Sequence, residues 1–141
     1  LSMPGRMESG TQNMPGIAGL RAGIEFVRSR GAENIFRHEI ALMRRLYRHL
    51  APMKKVRLYT EEPDPRYFAP VLSFNVGDLP SEEVGRKLNG YGIAVRAGLH
   101  CAPAAHRFCG TLERGAVRVC PSAFTRGEEI DRLAQVLSAI G

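Results

Sequence analysis

The sequence has few cysteines and lacks any CxxC pair. Its 141 residues include only Cys101, Cys109 and Cys120, an odd number confined to the last third of the chain. A disulfide framework is a poor explanation for such a set, and the absence of CxxC argues against a dithiol redox motif or a zinc knuckle. The cysteine usage favours a reduced, cytoplasmic protein that uses a thiol in chemistry.

Long apolar runs and targeting signals are also missing. No stretch approaches the roughly 20 apolar residues that a membrane-spanning helix needs, and the first ten residues lack the basic start and apolar centre of a signal peptide. Hydrophobic residues make up 44% of the chain and charged residues 24%, which is typical of a single soluble globular domain. We therefore expect no membrane partner. The first residue is Leu1 rather than Met, which suggests a shortened chain.

Acidic residues are absent from the most basic stretch. The segment RRLYRHLAPMKKVR, residues 44–57, contains no acid in a chain whose formal net charge is +6. A nucleic-acid surface is one interpretation. The other is a solvated helix face followed by a basic turn. We favour the second and expect no nucleic-acid partner, because no nucleic-acid-binding motif accompanies the charges.

Hydrophobic spacing predicts four helices and four strands. Apolar residues recur every three or four positions in the helical segments and at every second position in the strands. The predicted helices are 15–31, 33–50, 81–90 and 125–140, and the predicted strands lie within 56–60, 69–77, 92–98 and 115–122. Ser81 is expected to cap the third helix, and Thr125 with Glu128 to form a capping box for the fourth. Short turns between neighbouring strands favour an α/β fold, with a small antiparallel or mixed sheet and helices packed on one of its faces.

The segment VRAGLHCAPAAHRFCG, residues 95–110, concentrates reactive side chains. Taken alone, His100, Cys101, His106 and Cys109 are residue types that ligate zinc. Adjacent residues such as His100 and Cys101 cannot easily both reach one tetrahedral ion, so we predict no metal site. Cys109 and Cys120 are interpreted as ordinary small apolar residues.

Cys101 differs from the other cysteines in its setting. It follows a predicted strand end in a glycine-containing loop, with Arg96 before it and Arg118 on the next strand. Cations nearby favour the thiolate, which is the nucleophilic form of cysteine. Arg118 alternates with Val117 and Val119, so it points away from the core if the valines fill it. A guanidinium there could grip a substrate carboxylate through two parallel hydrogen bonds, or could equally pair with a nearby acid.

Two segments of the chain resemble a known family. YGIAVRAGLHCAP…GAVRVCPSAFTRGEEIDRLAQVL, from residue 91 onward, is similar to the C-terminal portion of class V aminotransferase-like enzymes, in particular to group II cysteine desulfurases and selenocysteine lyases. The Arg-x-Gly-x-His-Cys-Ala motif of that group is matched at Arg96, Gly98, His100, Cys101 and Ala102. Near the start of the chain, MESGTQNMPGIAGL resembles the family's Gly-Thr-x-Asn segment and the helix that follows it.

The resemblance implies a pyridoxal-phosphate (PLP) enzyme of fold type I, whose small C-terminal domain has an α+β architecture. Residues 1–31 would then link to a large cofactor-binding domain, and residues 32–141 would form the small domain. Thr11, next to Gly10, would contact the PLP phosphate of the partner subunit in a homodimer.

The resemblance also implies roles around the reactive loop. Cys101 would be the thiolate that attacks the sulfur of a small amino-acid substrate, becomes a persulfide and leaves alanine. Arg118 would hold the substrate carboxylate, and Arg96 and His100 would also lie on the substrate side. The family's chemistry leaves room for a further partner, a protein that accepts the sulfur.

Lysine is scarce, and this matters for the cofactor. A PLP enzyme of this family needs a lysine in a Ser-x-His-Lys context, and Lys54, Lys55 and Lys87 all lack it. The large domain is therefore expected outside these 141 residues, and this fragment alone is expected to be inactive.

Two other functions stay open. The chain could be the C-terminal domain of a class V aminotransferase that uses Cys101 differently or not at all. Leu99 stands where a second histidine often precedes the cysteine in group II, which leaves the exact substrate open. It could also be a stand-alone module that binds a metal through its His/Cys loop or nucleic acid through residues 44–57.

Overall fold

The computed structural model describes residues 2–7 and 10–140, and within them the chain forms five helices and four strands. In chain order these are α1 (Met14–Arg30), α2 (Ala32–Leu50), β1 (Val56–Leu58), β2 (Leu72–Val76), α3 (Ser81–Gly90), β3 (Arg96–Gly98), α4 (Pro103–Cys109), β4 (Ala116–Val119) and α5 (Gly127–Ile140). Every predicted helix and strand is present, and α4 is additional. The chain divides into two compact units, Leu1–Asn34 and Ile35–Gly141. The division that the resemblance implies, a linking segment at 1–31 and a small domain at 32–141, stays a prediction.

The four strands form one antiparallel sheet in the order β1-β2-β4-β3. β2 pairs with β1 and β4, and β3 pairs with the other edge of β4. The predicted α/β fold with a small sheet is thus confirmed, in its antiparallel form. Because β4 lies between β2 and β3, the chain that follows the Cys101 loop returns beside β3, the strand that precedes this loop.

One face of the sheet packs against three helices. Leu72, Phe74 and Val76 of β2 and Val117 of β4 are buried on this face. They share one core with residues spaced three or four apart along the helices: Leu42, Met43, Leu46 and Leu50 of α2, Val84 and Leu88 of α3, and Ile130, Leu133 and Leu137 of α5. The helical spacing places each apolar stripe toward the sheet, which is the reason these segments fold as amphipathic helices.

The other face of the sheet is polar. The register places four side chains on it that alternate with core residues: Ser73, Asn75, Ala116 and Arg118. Asn75 is fully buried, and both the oxygen and the nitrogen of its side-chain amide make hydrogen bonds. It accepts a hydrogen bond from Tyr59 Oη at 2.7 Å and donates one to the Gly115 carbonyl at 3.1 Å.

Ser81 does not cap α3 as predicted. It is the first residue of the helix, and its hydroxyl accepts a hydrogen bond from the Gly98 N–H at 3.1 Å. The hydroxyl therefore joins the start of α3 to the end of β3. This tertiary contact replaces the local one because the Ser81 side chain is fully buried between the two elements.

The predicted capping box of α5 is displaced by one residue. The Arg126 N–H donates to Glu129 Oε2 at 2.8 Å, so Glu129 takes the role expected of Glu128. The Thr125 hydroxyl instead accepts from the Ser122 N–H at 3.0 Å. Thr125 therefore stabilises the turn before α5, and α5 begins at Gly127, later than predicted.

Helix α4 lies in the segment predicted to be a loop. Pro103 occupies its first turn, and Gly110 ends it with φ 67° in the left-handed region. Both are known helix-boundary signals. The seven residues of α4 are too few to show an apolar period, so the sequence predicts no helix there.

Helix α1 has the predicted ends but no buried residue. Asn13 accepts a hydrogen bond from the Gly16 N–H at 3.0 Å, and Gly31 follows the last turn. The apolar residues of its stripe, Ile17, Leu20, Ile24 and Val27, keep between 43% and 66% of their surface exposed. In the described part of the chain, no helix combines the length and the apolar character needed to cross a membrane.

Gly115 is a position where the fold has no room for a larger residue. Its φ is +62°, and a Cβ there would lie 2.6 Å from Ser81 Oγ and 2.8 Å from Gly98 Cα. We expect Gly115→Ala to destabilise the fold by about 3 kcal/mol, since left-handed strain and overpacking each contribute about 1–2 kcal/mol. Urea unfolding of the two proteins measures this difference.

Gly110 provides the matched control for this substitution. Its φ of +67° is nearly the same, but nothing lies within 4 Å of the position of a Cβ. Gly110→Ala should therefore cost only the strain, about 1 kcal/mol. Equal losses from the two substitutions would show that the close approach of Gly115 to Gly98 is unimportant.

Candidate active site

Two arginines lie opposite each other on the polar face of the sheet. Arg96 of β3 is the direct cross-strand partner of Arg118 in β4. Like charges at such a position destabilise a sheet. Arg118 lies on the face opposite the buried Val117, as its alternation with the valines predicts.

The Arg118 guanidinium has an unused donor. Its Nε is buried without a hydrogen-bond partner among the residues that the structure describes. A buried donor without a partner is costly, and a carboxylate is the group that matches the planar guanidinium fork. The arginine pair is therefore suited to bind an anionic group.

Cys101 occupies a strained, exposed turn directly after β3. His100 and Cys101 both adopt left-handed backbone conformations, with φ of 51° and 58°. The turn closes through the Ala102 N–H, which donates to the Leu99 carbonyl at 2.9 Å. Two consecutive non-glycine residues in this region cost about 1–2 kcal/mol each. Such strain persists where the surroundings enforce it, often at functional sites, and here it holds the thiol exposed.

The His100 ring turns back onto the sheet. Its Nε2 lies 3.0 Å from the Ala116 carbonyl oxygen. Burial is the main cause that lowers the pKa of His100 below its usual range. The nearby Arg118, His106 and Arg96 lower it further, while the hydrogen bond to Ala116 acts in the opposite direction. The imidazole is therefore neutral at pH 7.

The structure thus brings four of the predicted site residues into one place. Cys101 is adjacent in sequence to His100, and the His100 ring is close enough to Arg96 and Arg118 for their charges to act on it. His100 is predicted to lie on the substrate side, which stays a prediction, and its Nε2 contacts the Ala116 carbonyl of the sheet. Its Nδ1 is the ring atom left for any further contact.

His106 is a buried residue to which the sequence analysis gives no role. Its Nδ1 lies 2.7 Å from the Thr111 hydroxyl, and its ring centroid is 6.0 Å from that of His100. With Cys109 it lines a cavity of about 210 Å³ between α4 and the polar face. The only sequence signals for this arrangement are the proline and glycine that bound α4. Cys109 is half-buried on this cavity, while Cys120 is exposed.

The described residues provide no metal site. Among residues 2–7 and 10–140, no three side chains of histidine, cysteine, aspartate or glutamate converge on one point. The basic stretch 44–57, the other feature of the alternative functions, is partly neutralised from within the chain. Arg45 contacts Asp131 at 2.6 Å, and Arg48 contacts Glu62 at 2.9 Å. The hydrogen bond from Arg45 is the main cause that lowers the pKa of Asp131.

The residues expected near a PLP phosphate belong to the first unit of the chain. Gly10 and Thr11 are exposed, and Gly10 has φ 80°, a conformation that suits glycine. They lie just before Asn13 and the N-terminus of α1, where backbone N–H groups favour anions. Residues 8 and 9 of the matching MESGTQN segment lie outside the described residues.

No lysine lies on the polar face with the arginines. Lys54 and Lys55 precede β1, at the sheet edge farthest from β3. Lys87 is on α3 and contacts Glu83 at 3.5 Å. The described residues therefore fit PLP only as accessory contacts. They offer phosphate-side and carboxylate-side groups but no amine for the cofactor aldehyde.

Comparison with known proteins identifies the relatives of this chain. The family model for aminotransferase class V matches residues 2–133. A curated cysteine desulfurase from Salmonella agona is 37% identical over 137 residues, which are 97% of this chain and 32% of that protein. The chain thus spans about a third of the length of the curated relatives it matches.

Solved structures agree with this result. The apo structure of a cysteine desulfurase from Thermococcus onnurineus superimposes with a TM-score of 0.87 and 32% identity, over 97% of this chain and 33% of that one. The cysteine desulfurase CsdA from Escherichia coli, in its S-sulfonic acid form, gives a TM-score of 0.83 over 99% of this chain and 33% of that one. Its identity of 23% indicates a shared fold alone.

Proposed function

Because this chain belongs to the class V aminotransferase family, we propose that it is the C-terminal part of a cytoplasmic, PLP-dependent cysteine desulfurase. Such an enzyme converts L-cysteine to L-alanine and keeps the sulfur as a persulfide. The observation that carries this proposal is the exposed thiol of Cys101, held in a strained turn directly after β3, the strand in which Arg96 lies opposite Arg118. A strained backbone, a nucleophile and an unsatisfied cation together indicate a reactive site rather than a structural one.

Cys101 accepts the sulfur in this proposal. Its thiolate attacks the substrate sulfur, so that a sulfur–sulfur bond forms while the carbon–sulfur bond of the substrate breaks. The bonding electron pair stays on the substrate carbon, which takes a proton, and the products are alanine and the Cys101 persulfide. Bound PLP supplies the electron sink that makes this carbon–sulfur bond breakable. The exposed turn gives the thiol room to carry a second sulfur atom.

Arg118 and Arg96 hold the substrate. A carboxylate placed between them satisfies the buried Arg118 Nε and relieves the repulsion between the two cations. The anchored carboxylate fixes the amino acid at one end, so its side-chain sulfur extends toward the Cys101 turn. This requirement favours a small amino acid as substrate.

The remaining contacts belong to a longer polypeptide and its dimer. We propose that a large domain outside these residues carries the Schiff-base lysine, and that Thr11 and Gly10 reach the cofactor phosphate of a partner subunit. The exposed apolar stripe of α1, with Leu20 at 66% exposure, supports a further packing partner, since apolar patches of this kind mark interaction surfaces.

The proposal is tested with the PLP-loaded enzyme that contains this chain. Incubation with L-cysteine should give alanine and enzyme-bound persulfide in equal amounts, and this 141-residue chain alone should give neither. Incubation with an amino donor and a keto acid tests the aminotransferase alternative. Transamination without persulfide would contradict the desulfurase assignment and support that alternative.

A further inference from the structure

The His100 side chain joins the turn that carries Cys101 to the sheet. His100 precedes Cys101, and both residues are left-handed. The His100 Nε2 lies 3.0 Å from the Ala116 carbonyl. A carbonyl oxygen only accepts hydrogen bonds, so Nε2 carries the proton. This bond is the tertiary contact that opposes relaxation of the turn.

The carbonyl that accepts this hydrogen bond belongs to β4, the strand that also carries Arg118. Ala116 lies opposite Gly98, the last residue of β3, and two positions before Arg118 on the same strand. The His100 ring therefore connects the thiol-bearing turn to the strand of the proposed carboxylate clamp. Movement of the ring would change the distance between the groups that hold the two ends of the substrate.

The surroundings of the ring keep it in one protonation state. His100 Nδ1 is buried and has no hydrogen-bond partner among the described residues. The charged and titratable groups that act on it are Arg118 from β4, Arg96 from β3 and His106 from α4. A second proton would sit on a buried nitrogen with no acceptor, beside two cations. The ring thus stays a neutral Nε2–H tautomer, with Nδ1 as a free acceptor.

We propose that His100 is a positioning residue, which holds the Cys101 thiol in register with Arg118 through its hydrogen bond to the Ala116 carbonyl. The inference deepens the proposed desulfurase function and rests on it. It gives the histidine next to the cysteine a role in the sulfur-transfer step rather than in binding the substrate.

Two substitutions separate the hydrogen bond from the ring. His100→Ala removes the donor and leaves a residue that is strained at positive φ. His100→Asn keeps an N–H donor and tolerates the left-handed conformation. In the PLP-loaded enzyme, His100→Ala should lower kcat for persulfide formation by about 10²-fold, the scale of a small misplacement of a reacting group. KM for cysteine should stay within about twofold, because uniform substrate binding is untouched, and His100→Asn should recover most of kcat.

His38 provides the matched control. Its Nε2 lies 2.9 Å from the Thr125 carbonyl, the same kind of bond at a site between α2 and the turn before α5. His38→Ala should leave both kcat and KM unchanged. A loss in KM alone for His100→Ala, or equal effects of the two alanine substitutions, would overturn the positioning role.

A measurement on the wild-type enzyme tests the same inference without an activity assay. Nitrogen NMR of the imidazoles should show His100 as the Nε2–H tautomer, titrating below the usual histidine range. An Nδ1–H tautomer would overturn the proposal even if His100→Ala did not fold, because Nε2 would then have no proton to donate to the Ala116 carbonyl. If the wild-type enzyme forms no persulfide, the proposed function fails; if it does and His100→Ala matches it, only the positioning role fails.

Discussion

Replacing Cys101 with serine should abolish persulfide formation and sulfide release while leaving PLP bound. The serine hydroxyl keeps the size and the turn geometry, but its oxygen cannot store sulfur as a persulfide and is far less nucleophilic at neutral pH. The substitution leaves unchanged Gly10 and Thr11, which we propose reach the cofactor phosphate, so PLP should stay bound. Absorbance of bound PLP and a chemical assay for sulfane sulfur measure the two properties separately.

Cys109 and Cys120 are the controls for this substitution. Cys109 is half-buried at the end of α4, and Cys120 is exposed directly after β4. Neither lies in a left-handed turn. Cys109→Ser and Cys120→Ser should each retain nearly full sulfur transfer. Persulfide on the Cys101→Ser enzyme would show that another thiol accepts the sulfur.

Arg118→Ala should lower kcat/KM for cysteine by about 10²–10³-fold, the scale of a lost charge-assisted bidentate pair. The truncated site lacks the planar fork that matches the carboxylate, which leaves only Arg96 of the proposed pair. Arg118→Lys should recover only a small part of the loss, because an ammonium keeps the charge but not the planar fork. Steady-state kinetics of the three enzymes provide the comparison.

Arg118→Ala should lower kcat/KM strongly but leave the free energy of unfolding nearly unchanged. Arg118 lies on the polar face, and its removal relieves the like-charge contact with Arg96. We expect the urea midpoint of Arg118→Ala to match the wild type. Arg57→Ala, on the same face but in the far edge strand β1, should change neither property. Unaltered kcat/KM in Arg118→Ala would remove Arg118 from the substrate site.

The sequence predicts the elements of this fold better than their contacts. The spacing of Met43, Leu50 and Leu133 is a local property, so it identifies α2 and α5 without knowledge of the sheet. Ser81 and Glu128 were assigned the wrong contacts, because a hydroxyl or carboxylate near a helix start has several backbone donors within reach. Which donor it takes depends on tertiary neighbours such as Gly98.

The candidate site shows the same division between local and long-range information. The family resemblance points to Arg96, Cys101 and Arg118, but the cross-strand pairing of the two arginines depends on a register that the sequence does not specify. The hydrogen bond of His100 to Ala116 spans 16 positions and has no local signature. Long-range pairing of this kind is decided by packing of the whole sheet, which is why the sequence gives no sign of this hydrogen bond.

The central claim, that Cys101 is the thiol that accepts sulfur, is tested most directly by peptide mapping. The wild-type, PLP-loaded enzyme is given L-cysteine for one turnover, its thiols are alkylated, and its peptides are analysed by mass spectrometry. The account predicts one additional sulfur atom on the peptide that contains Cys101 and none on those that contain Cys109 or Cys120. Additional sulfur on either of those two peptides, or alanine formed with no persulfide on any of them, would contradict it.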